Sequence, residues 1–329
     1  MTDTADPALS PPAQTQAEPA PSLADRDGWI WHNGELVPWR DARVHVLTHT
    51  LHYGVGVFEG VRAYSTPRGP AIFRLEDHTQ RLFQSAKILG INIPWSPEEV
   101  NAAQLAVVRE NELEEGYLRP MVYLGSEAMG LRAKGLSVNL VVAAWPWPNY
   151  MDESAREVGI KVRTSSFTRH HVNITMCKAK ANGNYINSIL ALQEALDAGC
   201  DEALMLDNEG YVAEGSGENI FIVRDGTLHT PELTSCLDGI TRKTIFALAA
   251  EAGFEIRERR ITRDEVYICE EAFFSGTAAE VLPIRELDGR IIGDGTRGPI
   301  TEQLQRIYFE QVRGQRAQFP EWLHPVRGD

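Results

Sequence analysis

The sequence is short of cysteine: it has four in 329 residues, at positions 177, 200, 236 and 269. Their wide spacing, with no C-x-x-C pair, suits neither a disulfide framework nor a zinc knuckle, so they read as core or incidental thiols and no metal site is expected. No run approaches the roughly 18 uninterrupted apolar residues of a membrane helix, and the N-terminus lacks the basic and apolar regions of a secretory signal. The cytoplasm is therefore the expected compartment, with no membrane partner. Positive charge is also scarce, since 32 Lys and Arg against 46 Asp and Glu leave a formal net charge of -14. Nucleic acid and anionic membranes would be repelled by the mean surface, so any small anion has to be held by individual arginines at a local site.

What is present is enough chain for roughly two domains with separate cores. Residues 1–25, rich in Pro, Ala, Ser and Thr, read as a disordered tail. Trp29 to Val37 is two strand-like runs around Asn33-Gly34, a hairpin signal. Three glycines between aromatic and β-branched residues, in the stretch from Thr48 to Arg62, suggest strand or loop backbone lying close to a ligand or in tight turns. Leu75 to Leu89 has helical spacing and stops at Gly90, and Ser96-Pro97-Glu98-Glu99 opens another helix with a capping box. Strands follow at Tyr117 to Leu124, where alternation puts Tyr117 and Arg119 on one face, and at Ser137 to Ala144. Trp145 to Met151 breaks the pattern. The chain is divided accordingly into the tail, a small α/β domain over 26–146, a connecting loop over 147–157 and a large domain over 158–329. Mixed sheets with flanking helices are expected in both domains, an α/β and α+β two-domain architecture.

Three segments of the second half carry chemistry. In Lys178-Ala179-Lys180-Ala181-Asn182-Gly183-Asn184-Tyr185, two lysines stand between small residues ahead of an apolar helix. A lysine amine there suits Schiff-base chemistry if its surroundings disfavour the ammonium form, while the plain alternative is a solvated pair. Leu237-Asp238-Gly239-Ile240-Thr241-Arg242 runs straight into a helix, whose free N–H groups and dipole favour an anion. Ser275-Gly276-Thr277 is a second small, hydroxyl-bearing turn able to bring backbone donors to an anion.

Together these residues extend to a longer pattern. Glu214, Ser216, Asn219, Ile220, Phe221, Leu228, Thr230, Leu237, Gly239, Ile240 and Arg242 stand in the spacing of the class IV aminotransferase signature. With Lys180 upstream and Ser275 to Glu280 downstream, the chain resembles that class over about residues 29–312. Tyr53 to Arg62, Tyr117-Leu118-Arg119-Pro120 and Trp147 to Tyr150 make it resemble, more narrowly, the branched-chain amino acid aminotransferases. The resemblance implies the fold of the D-amino acid aminotransferase-like, fold type IV enzymes and pyridoxal 5'-phosphate as cofactor. It implies that Lys180, rather than Lys178, binds the cofactor, because Asn184-Tyr185 follows at the family's spacing; Lys178→Ala should then leave most turnover. Tyr185 would bond the phenolic oxygen, Glu214 the pyridine nitrogen, and Arg81, Ile240, Thr241, Gly276 and Thr277 the phosphate. The implied substrate pocket has Phe58, Tyr53, Tyr150 and Trp147 as an apolar wall beside Gly60 and Tyr117. Arg119 would meet the distal carboxylate of glutamate, and Thr277 and Ala278 the α-carboxylate. Leu131 matches a loop that reaches a neighbouring subunit's site, implying a homodimer or a higher assembly such as a hexamer built as a trimer of dimers.

The implied reaction is reversible transfer of the amino group between L-leucine, L-isoleucine or L-valine and 2-oxoglutarate. Within the class, D-amino acid aminotransferases carry an Arg-x-His pair in the loop after the Tyr117 strand, where this chain has Arg132-Ala133-Lys134. An aminodeoxychorismate lyase fits the Tyr-Leu-Arg-Pro strand less well. A non-catalytic scaffold would have no reason to keep Lys180, Tyr185 and Glu214 together, and a DNA-binding regulator would need a basic helix that is not found.

Overall fold

A computed structural model describes residues 22–147 and 153–327. Tyr150 and most of the expected tail lie outside the described residues. Within that tail the indole of Trp39 donates to the carbonyl of Leu23 at 2.7 Å, and Arg40 pairs with Asp25 at 2.7 Å.

The described residues form two sheets. The first runs, in hydrogen-bonded order, Leu323–Pro325, Gly69–Phe73, Val61–Thr66, Gly116–Leu124, Val138–Trp145, Trp29–His32 and Glu35–Pro38, with Gly56–Phe58 beside the far half of Gly116–Leu124. The expected hairpin is present, with Asn33 at φ 52° and Gly34 at φ 107° in the turn. Every pairing in this sheet is antiparallel, so the expectation of a mixed sheet is corrected here. The reason is local: tight turns and short returns reverse the chain, and no strand–helix–strand crossover joins neighbouring strands.

The second sheet is mixed. Its order is Val212–Gly215, Glu202–Leu206, Ile160–Thr164, Glu280–Leu287, Glu271–Gly276, Asn219–Arg224, Thr227–Thr230 and Ile256–Glu258, with Arg290–Ile291 off Glu280–Leu287. Ile160–Thr164 pairs parallel with Glu202–Leu206 because the helix Tyr185–Asp197 carries the chain back between them. The expected helices are present as Leu75–Ile88, Pro97–Glu110, with its Ser96–Glu99 capping box, Tyr185–Asp197 and Ile240–Glu251, and Pro299–Val312 is a further long helix. A short helix, His49–Tyr53, stands where strand or loop was expected.

One core lies between the first sheet and its helices, around Val57, Leu82, Leu118 and Val142. Another packs under the second sheet around Ile160, Leu204, Phe274 and Leu282. A third joins the halves: Tyr64 and Phe73 of the first sheet pack with Phe221, Phe273 and Val281 of the second and with Tyr308 of the last helix. Burial of this kind, about 25 cal/mol per Å² of apolar surface, holds the two sheets against each other and so fixes what lies between them.

Candidate active site

The glycine-bearing stretch and the lysine segment meet backbone to backbone. Phe58 N donates to Lys180 O at 3.0 Å, and Val57 and Ala181 form an antiparallel bridge. Lys180 N donates to Ser85 Oγ at 3.0 Å, tying the same residue to the helix Leu75–Ile88. Its Nζ donates to Tyr185 Oη at 2.6 Å and lies 5.0 Å from the centroid of Phe58. Lys178 is turned elsewhere, with Nζ donating to the carbonyls of Leu233 and Cys236. Lys178 lies in a turn at 177–178 and a bend at Ala179 precedes Lys180, so two lysines one residue apart have different surroundings.

Lys180 opens on a cavity of about 250 Å³ whose wall also holds Tyr185, Glu214, Arg81, Ile240, Thr241, Gly276, Thr277, Ala278, Phe58, Gly60, Tyr117, Arg119 and Trp147. Residues from both sheets and from the start of one helix therefore converge on one amine. Tyr53, expected in this wall, is not in it, and neither is Leu131, which was expected at a neighbouring subunit's site. Tyr53 sits 39% exposed on its short helix, its hydroxyl accepting from Gly130 N at 3.1 Å, and Leu131 next to that contact is 92% exposed. Tyr53 is set apart from Phe58 by Gly54, whose left-handed backbone, φ 68°, ends the short helix.

Glu214 is buried on the strand Val212–Gly215. Its Oε2 accepts from Leu237 N at 3.2 Å and Asn219 Nδ2 at 3.4 Å. Arg169 Nε stands 2.7 Å from Oε1, yet neither atom makes a directed hydrogen bond there, so the contact acts as a charge pair, which needs no alignment. A second buried acid, Glu218, also lines the cavity; burial, then the nearby Glu202 and Glu214 carboxyls, raise it well above the usual 4.5.

Arg81 is buried and held by Glu59, through Nε at 2.7 Å and Nη2 at 2.8 Å, while Nη1 donates to Asp238 O at 3.1 Å. His78 Nδ1 is 2.8 Å from the same carboxylate. Burial would raise the Glu59 pKa, but the charge and hydrogen bonds of Arg81, with His78, outweigh it and hold the acid well below 4.5. Part of the Arg81 fork is therefore committed inside the protein, and an incoming anion meets its remaining N–H groups.

Beside Arg81 are donors with no acceptor. The helix Ile240–Glu251 begins at Gly239 with no side-chain cap, which leaves its first N–H groups for a ligand. A Cβ on Gly239 would stand 2.0 Å from Asn219 Oδ1, so only glycine lets the helix start this close to the strand. Ser275 Oγ, in the same wall, is buried without a partner. One amine, one buried carboxylate and a group of unsatisfied donors fit the three functions of pyridoxal phosphate: its carbonyl carbon, ring nitrogen and phosphate.

The rest of the cavity is aromatic. Tyr117 packs 4.6 Å from Trp147 between ring centroids, and a Cβ on Gly60 would fall 1.9 Å from its hydroxyl, so Gly60 makes room for it. Arg119 Cζ lies 4.8 Å from the Phe58 centroid and 5.7 Å from that of Tyr117; its buried Nε has no partner, and no carboxylate pairs with it among the described residues. The turn at Thr277 and Ala278 is set by Arg62, which donates to both their carbonyls at 2.9 and 3.0 Å. Two residues further on, Glu280 has φ 61° and accepts from buried Tyr64 at 2.9 Å and half-buried Arg156 at 2.5 Å, so these partners hold an unfavourable backbone. Sequence reasoning missed the roles of Glu59, His78, Arg169 and Arg62. Each is an ionisable group whose partner is distant in the chain, and no local signal pairs them.

Residues 56–287 match the family described as Amino-transferase class IV. The branched-chain-amino-acid aminotransferase of Pseudomonas aeruginosa is 67% identical over 306 residues, spanning 93% of this chain and 100% of that protein. Two crystal structures of a T.th. branched-chain amino acid aminotransferase match with TM-scores of 0.90 and 0.88, at 47% and 46% identity, each covering 92% of this chain and 99% of the other. One holds pyridoxamine 5'-phosphate and the other N-(5'-phosphopyridoxyl)-L-glutamate. A lysine, tyrosine and glutamate converging in the fold of these enzymes, at this identity over nearly the whole chain, place the protein in the class IV, pyridoxal-phosphate-dependent aminotransferases, as a member of their branched-chain-amino-acid group.

Proposed function

We propose that this chain moves an amino group reversibly between L-leucine, L-isoleucine or L-valine and 2-oxoglutarate, with one cavity serving both halves of the exchange. The carrying observation is the joint presence of the Lys180–Tyr185 contact and an arginine with no carboxylate partner among the described residues, Arg119, lying over the ring of Phe58 in the same wall. Pyridoxal phosphate, when bound, supplies an electron sink for the charge that develops at the substrate Cα. Glu214 holds the proton on the ring nitrogen, with Arg169 as its countercharge. Tyr185 orients the Lys180 amine, which as general base would take the Cα proton and as general acid would deliver it to the cofactor's C4′. Arg81, the N–H groups at Ile240 and Thr241, and the Gly276–Thr277 turn hold the phosphate.

In the substrate half, Phe58, Tyr117 and Trp147 form the apolar wall for a branched side chain, and Tyr150 is assigned there from the sequence. The Thr277–Ala278 turn takes the α-carboxylate. Arg119 takes the distal carboxylate of glutamate, a bond that an apolar side chain does not use. The glutamate adduct in a related enzyme supports this second substrate. The exposed apolar residues Leu51, Tyr53, Met129 and Leu131 form a face suited to a second copy of the chain, and a homodimer or a higher, dimer-based assembly follows. No helix among the described residues is long and apolar enough to cross a membrane, and the cytoplasm is the proposed compartment.

The test is a spectral titration of the loaded enzyme with L-leucine, L-glutamate and D-alanine. Both L-amino acids should convert the cofactor to its amino form, and D-alanine should not. Conversion by D-alanine in place of L-leucine would transfer the assignment to the D-amino acid branch of the class.

A further inference from the structure

We infer that Lys178 is a positioning residue for the phosphate end of the site: its ammonium clamps the segment that leads into the helix Ile240–Glu251, and so fixes where the phosphate donors stand. The inference rests on the reading that this helix start holds the phosphate of the cofactor.

Lys178 Nζ donates to Cys236 O at 2.8 Å and also to Leu233 O. No other donor reaches either carbonyl among the described residues. The clamped segment continues directly into the cavity wall. Leu237 O accepts from Asn219 Nδ2 at 3.0 Å, Asp238 O accepts from Arg81 Nη1 at 3.1 Å, and Gly239 begins the uncapped helix. The segment at 233–238 is neither helix nor strand, so no repeating ladder sets its position. Side-chain bonds do that instead, and those of Lys178 come from the same stretch of chain as Lys180. One short segment thus supplies the reactive amine and sets the distance from it to the anion donors.

Charge-assisted bonds to two otherwise unpaired carbonyls are strong enough to matter, because losing the donor leaves both acceptors without a partner. Without Lys178 the segment that carries the helix start and the Asp238 carbonyl bonded to Arg81 loses its anchor on the Lys180 side, and only the bonds at Leu237 and Asp238 remain. Glu214 is less affected, since it keeps Arg169 and Asn219 after any movement of Leu237. The consequence is selective: binding of the phosphate group should suffer while binding of the ring should not. The expectation that Lys178→Ala keeps most turnover then holds only at saturating cofactor.

The experiment titrates the full-length chain, stripped of cofactor, with pyridoxal phosphate and in parallel with pyridoxal, for wild type, Lys178→Met and Lys178→Arg. Lys178→Met should weaken pyridoxal phosphate by about tenfold or more, as for loss of a charge-assisted bond, and leave pyridoxal within about twofold. Lys178→Arg, which can donate to both carbonyls, should keep the wild-type preference. If Lys178→Met does not accumulate as folded protein, Lys178→Gln takes its place with the same expected direction. An equal loss for both ligands would mean general structural damage and would overturn the inference, as would an unchanged preference. A wild-type chain that binds both ligands equally would remove the phosphate reading itself, and this inference with it.

Discussion

Arg81 and Arg119 line the same cavity, yet they differ in what surrounds them. Arg81 is buried against Glu59, which takes two of its N–H groups, and a backbone carbonyl takes a third. Arg119 lies over two aromatic faces, with no ion pair to an acid among the described residues. The paired arginine is fixed before any ligand arrives and carries little net charge into the site. The unpaired one keeps its charge for a carboxylate that is present in only one of the two substrates. This difference divides the cavity into a permanent end, suited to a cofactor that stays, and an exchangeable end, suited to substrates that alternate.

Breaking the permanent end should have the largest effect on the protein. Glu59→Ala leaves Arg81 as an uncompensated buried charge, and about 3–5 kcal/mol of stability should be lost in denaturant unfolding. The same pair sets an acid limit. Because the folded-state pKa of Glu59 is depressed, its contribution is fully present above the unfolded value near 4.5 and is lost as pH falls through and below it. Glu59→Gln should lack that part of the acid sensitivity. A stability unchanged by Glu59→Ala would show that the pair is not what holds Arg81.

Breaking the exchangeable end should leave the fold and alter one substrate. Arg119→Leu removes a charge-assisted bond of roughly 1.5–3 kcal/mol, which is about one to two decades in kcat/KM for L-glutamate. The L-leucine half-reaction should change far less, and single-turnover rates with each substrate measure the split. Equal losses for the two would make Arg119 a structural residue.

The smallest effect sharpens the comparison without a substitution. Screening weakens an unpaired charge at an open site more than a pair already in contact, since the Debye length falls to about 8 Å near 0.15 M salt. Raising ionic strength should therefore raise KM for glutamate by no more than a few-fold and leave KM for leucine nearly constant. Equal salt dependence for both substrates would argue against a free charge at Arg119.

The sequence was most legible where the signal is local. The Asn33-Gly34 hairpin, the helix ending before Gly90 and the Ser96 capping box all stand where spacing put them, because each rests on backbone preferences of a few adjacent residues. Resemblance supplied the residues named for the cavity, and those within reach of the described structure line it, apart from Tyr53 and Leu131. The all-antiparallel first sheet and the helix His49–Tyr53 were not legible, since pairing direction depends on the path of the connections and a helix of five residues leaves little periodicity to read.

By itself the sequence determined which groups are available: a reactive-type lysine followed by Asn184-Tyr185, a glutamate in the class signature, a helix start without a capping side chain, and arginines in an acidic chain. Only the tertiary structure decided which arginine is paired and which is free, that Lys178 grips the phosphate-side segment while Lys180 faces the cavity, and that Arg62 sets a turn more than two hundred residues away. The reason is physical. A residue's chemical type is fixed by the chain, but whether its charge is available depends on partners brought within a few ångströms, and only packing of the two sheets brings them there.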